Sequence, residues 1–126
     1  MALHVLLVDD YFPGLILGES VLARLSARVV SARDGRECIA VFRMQKFDIV
    51  FMDHLMPNMS GVEATTEIRR IEAALGWSRT PIIALTACAF PSEIEEFLQA
   101  GADDVLLKPY RVEELGTMLE KWAPGR

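Results

Sequence analysis

Five short apolar runs set the frame for anything this chain can become: His4 to Val8, Arg28 to Ser31, Ile49 to Met52, Ile82 to Thr86 and Val105 to Leu107. Each is nearly continuous in hydrophobicity, as strands covered on both faces are, whereas a sheet with one wet face would alternate. The intervening segments are long enough for helical crossovers, so the sheet is expected to be parallel with right-handed connections. Three of these segments begin with a capping residue and a glutamate three positions on: Asp34/Glu37, Ser60/Glu63 and Ser92/Glu95. Apolar residues then recur at helical spacing, as Ala64, Ile68, Ile71 and Leu75, then Ile94, Phe97 and Leu98, then Leu115, Met118, Leu119 and Trp122. The first helix is expected to start near Pro13 and to carry Leu15, Leu22 and Leu25. Strict βα alternation of this kind predicts a three-layer α/β/α sandwich with five strands and five helices, a single domain over residues 1–126.

Composition narrows the chemistry. The 126 residues are 52% hydrophobic, enough for a core without disulfides or a structural metal, and the net charge is −5 with a pI near 5.0. An acidic surface repels nucleic acid and anionic lipid, and no basic cluster longer than Arg69-Arg70 offsets it, so no direct partner of either kind is expected. The longest apolar stretch, Ile82 to Phe90, is about half of what a membrane span needs. Two distant cysteines, Cys38 and Cys88, fit a reducing, cytoplasmic setting, and with His4 and His54 they show no zinc spacing. Neither a Walker A loop nor a GxGxxG loop is present.

If the strands are placed correctly, the polar residues that interrupt the runs all fall at strand C-termini: Asp9 and Asp10 after the first, Asp53 after the third, Thr86 ending the fourth, Lys108 after the fifth. In an open α/β sheet those ends share one rim, where ligands bind at the point at which strand order reverses. Each residue alone reads equally as a cap, a turn former or packing. Capping, however, does not call for three carboxylates and a lysine on one rim. Two carboxylates about 4 Å apart repel by about 4 kcal/mol at an effective dielectric of about 20, so the cluster asks for a cation. A few oxygen donors with room for water suit Mg²⁺ better than Zn²⁺ or a caged Ca²⁺. A metal that also holds phosphate oxygens, beside the Lys108 ammonium and the Thr86 hydroxyl, suits phosphoryl transfer, with one carboxylate as a nucleophile that forms an acyl phosphate.

Over essentially its whole length the chain resembles the receiver domains of two-component response regulators. The resemblance rests on Leu6-Leu7-Val8-Asp9-Asp10, on Asp53 to Gly61 with its Met56-Pro57, on Pro81 to Ala87, on Ala100-Gly101-Ala102-Asp103-Asp104 and on Lys108-Pro109. It implies a flavodoxin-like strand order of 2-1-3-4-5. It implies Asp53 as phosphoacceptor, Asp10 as a direct Mg²⁺ ligand, Asp9 acting mainly through water, and the Leu55 carbonyl completing the protein ligands. Thr86 corresponds to the switch hydroxyl and Lys108 to the phosphate-binding lysine, before a Pro109 peptide that is cis in relatives. The implied partner is a histidine kinase or histidine phosphotransfer protein, docking near Leu15, Ile16 and Leu17, three neighbours that one helix face cannot bury together. A downstream partner would use the fourth and fifth helices, whose Glu93, Glu95, Glu96, Glu113, Glu114 and Glu120 also read as a solvated face. The Ile68 to Thr86 stretch resembles the receivers of hybrid sensor kinases.

The family pattern is not matched everywhere. Val105 stands where relatives place a switch aromatic, which leaves the Ala87 to Pro91 loop to carry the coupling, and Tyr110 is expected to cover the core instead. Leu55 and Cys88 occupy positions that are often polar in relatives, so slow hydrolysis of the acyl phosphate is expected. Cys88 itself reads as a small buried filler, His54 as structural, and Met44, Met52, Met56, Met59 and Met118 as core filler. Two other classes compete. A docking module would keep the fold but not the site, and an aspartyl-phosphate phosphohydrolase would want a carboxylate where Leu55 stands.

Overall fold

The computed structural model of the chain describes residues 2–87 and 90–124. Cys88, and part of the loop expected to carry the coupling, lie outside them. The strands are β1 (His4–Val8), β2 (Arg28–Ala32), β3 (Ile49–Asp53), β4 (Ile82–Thr86) and β5 (Asp104–Leu107). They form one parallel sheet in the order β2-β1-β3-β4-β5. Asp53 pairs with Leu85 in the β3–β4 ladder, so the acidic residue ends the strand and does not follow it. Continuous burial holds for β1 after its first residue, and for all of β3 and β4. The outer strands β2 and β5 are half-exposed, because each has a neighbour on one side only.

Alternation along β1 sends Leu6 and Val8 to one face and Val5 and Leu7 to the other, and each pair joins a separate core. The first core packs against α2 (Gly35–Met44), α3 (Gly61–Leu75) and α4 (Pro91–Ala100). The second packs against α1 (Phe12–Arg24) and α5 (Val112–Trp122). The sandwich is therefore the one expected.

Two of the three expected helix starts are built as predicted. Asp34 accepts from the Glu37 N–H at 2.8 Å, and Ser60 and Glu63 close a reciprocal capping box at 3.0 and 3.1 Å. The third is corrected: α4 starts at Pro91, whose fixed φ and missing N–H suit a first helical position, which leaves Ser92 inside the helix. Apolar periodicity also overreaches at helix ends. Leu75 is the last residue of α3, Leu25 caps α1, and both are exposed where the chain leaves the sheet. Met44, at 83% exposure, is not core filler; Met52 is fully buried, and Met56, Met59 and Met118 pack against the cores. Leu98, expected on the buried face of α4, is 45% exposed, and Phe97 is the single buried residue of that helix.

At the N-terminal ends of β4 and β5 a closed ionic network ties α3 to the sheet. The Arg69 guanidinium donates to Glu72, Asp103 and the carbonyls of Thr80 and Gly101. Glu72 accepts from the Thr80 N–H and Asp103 from the Ile82 N–H and Arg79, so each carboxylate is used from several sides. Among the described residues, no helix is long and apolar enough to cross a membrane.

Candidate functional site

The opposite rim gathers the residues singled out from the sequence, and main-chain ladders hold them there. The Asp9 N–H donates to the Ala32 carbonyl at 3.1 Å, and the Lys108 N–H to the Thr86 carbonyl at 2.8 Å. Asp53 is held in the β3–β4 ladder. Asp9, Asp53 and Thr86 are buried and Asp10 is exposed. Carboxylate oxygens of Asp9, Asp10 and Asp53 lie within 4.8 Å of one another. Lys108 Nζ donates to Asp53 Oδ1 at 2.9 Å and to Asp9 Oδ2 at 3.3 Å. The peptide between Lys108 and Pro109 is cis.

Burial and neighbouring charges both act on the acid constants here. Burial pushes the Asp53 carboxyl up from 3.8 to about 6; the Lys108 hydrogen bond opposes this, the Asp9 charge adds to it, and the Lys108 charge and the His54 backbone N–H pull down. Burial works against the Lys108 ammonium, but the bond to Asp53 and the charges of Asp53 and Asp9 outweigh it and raise its pKa. The phenol of Tyr110 is raised by burial first, then by the Asp9 charge, and its ring packs against the second core as expected.

The donor set fits a small hard cation. It is all oxygen, two of the carboxylates are buried and fixed, and the third faces solvent, where water can complete a coordination shell. One lysine does not neutralise three carboxylates, so a divalent ion relieves a repulsion already built in.

The loop from Asp53 into α3 depends on Gly61, which ends the Asp53 to Gly61 motif but whose role the sequence alone did not assign. A Cβ on Gly61 would lie 1.9 Å from the Asp53 carbonyl oxygen and 2.8 Å from Phe97 Cζ, so no side chain fits between the strand end and α4. The turn is closed by Gly61 N–H to the His54 carbonyl at 2.8 Å, with Asn58 at positive φ. A glycine at the start of a capped helix looks ordinary in the sequence, because what it contacts is tertiary. The rim opens into a cavity of about 830 Å³ whose walls include His54, Leu55, Phe90 and Glu93. Leu55, two residues past Asp53, is 74% exposed at its mouth. As expected, His54 makes structural contacts: its ring lies 5.2 Å from Phe97, and its Nδ1 is 3.7 Å from Glu93 Oε2.

On α1 the expected apolar trio divides. Ile16 and Leu17 are exposed, but Leu15 is part of the second core, because its position on the helix faces the sheet. Leu15 is thereby removed from any docking surface. Tyr11 and Phe12 are exposed at the start of the same helix.

Known proteins share this arrangement. A family model for the response regulator receiver domain matches residues 5–120. Sensor protein GacS of Pseudomonas syringae pv. syringae is 40% identical over 119 residues, which are 94% of this chain and 13% of that protein. The chain thus spans about an eighth of that curated relative. The receiver domain of sensor histidine kinase PA1611 from Pseudomonas aeruginosa PAO1, with a magnesium ion coordinated in its active site cleft, superposes with a TM-score of 0.87 at 37% identity, covering 97% of this chain and 98% of that one. The receiver domain of Ssk1 in its complex with the histidine phosphotransfer protein Ypd1 of Saccharomyces cerevisiae gives a TM-score of 0.90 at 27% identity, covering 96% and 88%.

Proposed function

The chain belongs to the response regulator receiver domain family, and from that premise we propose that Asp53 accepts a phosphoryl group from a phosphohistidine, with residues 1–126 acting as a single receiver domain. The observation that carries this reading is the Lys108 ammonium held on Asp53 Oδ1 at 2.9 Å amid an excess of carboxylate. In the transfer the N–P bond of the donor phosphoimidazole, protonated on its other ring nitrogen, breaks and an O–P bond to an Asp53 carboxylate oxygen forms, so that the partner's ring leaves as neutral imidazole with that proton retained. Asp9, Asp10, Asp53 and the Leu55 carbonyl would hold Mg²⁺, which supplies neutralising charge to the phosphoryl oxygens. Lys108 is placed to exchange its bond to the carboxylate for one to a phosphoryl oxygen, and the Thr86 hydroxyl ends the adjacent strand where it can donate to another.

The donor is a histidine phosphotransfer protein or the kinase itself, reaching the rim past Ile16 and Leu17. Resemblance to the sensor protein GacS and to the receiver domain of the sensor histidine kinase PA1611 supports placement as the receiver part of a longer sensor kinase; a reducing cytoplasmic setting, from the two distant cysteine positions, and a downstream partner on the α4/α5 side belong to the same proposal. The domain is a switch that takes part in its own phosphorylation; it does not turn over a substrate. Exposed Leu55 offers no hydrogen bond to orient an attacking water, so the acyl phosphate is long-lived, and Leu55→Asn together with Cys88→Glu shortens its lifetime about tenfold in a phosphate-release assay.

The test is intact mass after incubation with acetyl phosphate, with and without Mg²⁺. Wild type gains one phosphoryl group only with Mg²⁺, and Asp53→Asn gains none. A folded wild type that gains nothing is a docking module, and the reading fails.

A further inference from the structure

His54 is joined to three elements at once. It follows Asp53 directly in the chain at the end of β3, and its carbonyl accepts from Gly61 at the start of α3 at 2.8 Å. Its imidazole reaches α4, lying 3.7 Å from Glu93 in the first turn and 5.2 Å from the ring of Phe97. Phe97 is the buried residue of α4, so His54 touches the one side chain that anchors that helix. Gly61, bonded to the His54 carbonyl, is itself packed so that its missing Cβ would meet both the Asp53 carbonyl and Phe97. On the β5 side the residue available for a comparable link is Val105, whose short branched side chain is part-buried against the first core and has no ring to swing.

We propose that His54 is a positioning residue that carries the state of Asp53 to α4, through its peptide on the acceptor side and through Glu93 and Phe97 on the helix side. The inference rests on the receiver reading above. When the acceptor carboxylate becomes an acyl phosphate, the Asp53 side chain changes its charge and size beside the Asp53–His54 peptide and the Gly61 backbone packed on it. The His54 peptide shifts with it, and the imidazole transmits the shift to the first turn of α4. Only a differential contact of this kind can bias α4 between two positions.

Amide ¹H–¹⁵N shifts on adding beryllofluoride with Mg²⁺, a mimic of the carboxyl-bound phosphoryl group, test it in wild type, His54→Ala, Glu93→Ala and the double variant. Glu93 is on a part-exposed first turn, so its variant folds even if His54→Ala does not. In wild type the amides of both the rim (Asp53, Lys108) and α4 (Glu95 to Gln99) move. In each single variant the rim still moves and the α4 response falls at least about twofold, and the double variant falls no further than the larger single effect. A merely structural role alters the free-state spectrum but not this bound-minus-free difference. An α4 response of wild-type size in both single variants, with the rim moving, overturns the coupling and leaves the receiver reading intact. A wild-type rim that does not move, with no gain of mass from acetyl phosphate, overturns the receiver reading and the coupling with it.

Discussion

The two rims of the sheet are built from the same residue types to opposite ends. At the N-terminal ends of β4 and β5, two arginines face two carboxylates, and Arg69 alone makes five hydrogen bonds. At the C-terminal ends, three carboxylates crowd one lysine. The first arrangement is saturated and holds α3, β4 and the α4–β5 turn in place. The second keeps an unmet demand for positive charge, a condition that favours function over stability. Acidity is therefore a poor guide to a site; an unbalanced acidic cluster on a rim is a better one.

Breaking the closed network should have the largest effect on stability. Arg69→Leu leaves Glu72 buried and Asp103 part-buried without their shared cation, with only Arg79 still on Asp103, and is expected to cost about 3 kcal/mol in urea unfolding. Phosphoryl incorporation per folded molecule is unchanged in that variant. At the open rim, Gly61→Ala forces a Cβ onto the Asp53 carbonyl, costs about 3 kcal/mol, and slows phosphorylation from acetyl phosphate, because the acceptor strand end must move.

Smaller still is the pH effect at Asp53, and its sign distinguishes the two rims. With its carboxyl raised from 3.8 to about 6, Asp53 contributes stability that is fully present below pH 3.8 and lost as pH rises through 6. Without Mg²⁺, wild type relative to Asp53→Asn should lose about 2 kcal/mol between pH 4 and pH 7, read from urea midpoints. Asp104 behaves in the opposite sense. Burial works to raise it, but the Trp122 Nε1–H and the Lys121 ammonium, both at 2.9 Å, outweigh that and hold it below its ordinary value. Its contribution is present above pH 3.8 and lost as pH falls through its folded value. Trp122→Phe should cost about 1 kcal/mol at pH 7 in thermal unfolding, and less at pH 3.

Much of this was legible in the chain because the signals were local. Continuous apolar runs marked β1, β3 and β4, the Asp34 and Ser60 caps marked α2 and α3, and strand ends placed Asp9, Asp10, Asp53, Thr86 and Lys108 on one rim. What was missed depends on what lies next door. Three consecutive apolar residues on α1 show that they cannot all be buried, but only the sheet decides that Leu15 is the one inside. Helical periodicity continues to Leu75, but the neighbouring surface does not. The need for glycine at position 61 and the reach of His54 to Glu93 exist only once β3, α3 and α4 meet.

The unequal anchoring of the two helices beside the acceptor has a mechanical consequence. α3 buries six residues, abuts Asp53 at one end and is bolted by Arg69 at the other, so it serves as the fixed frame. α4 hangs on one phenyl ring. Displacing it costs on the order of one buried side chain, about 3 kcal/mol, whereas reversing a population from one part in a hundred to ninety-nine takes about 5.5 kcal/mol. A lever this lightly pinned can be thrown by a single covalent event, and it falls back when the group is gone.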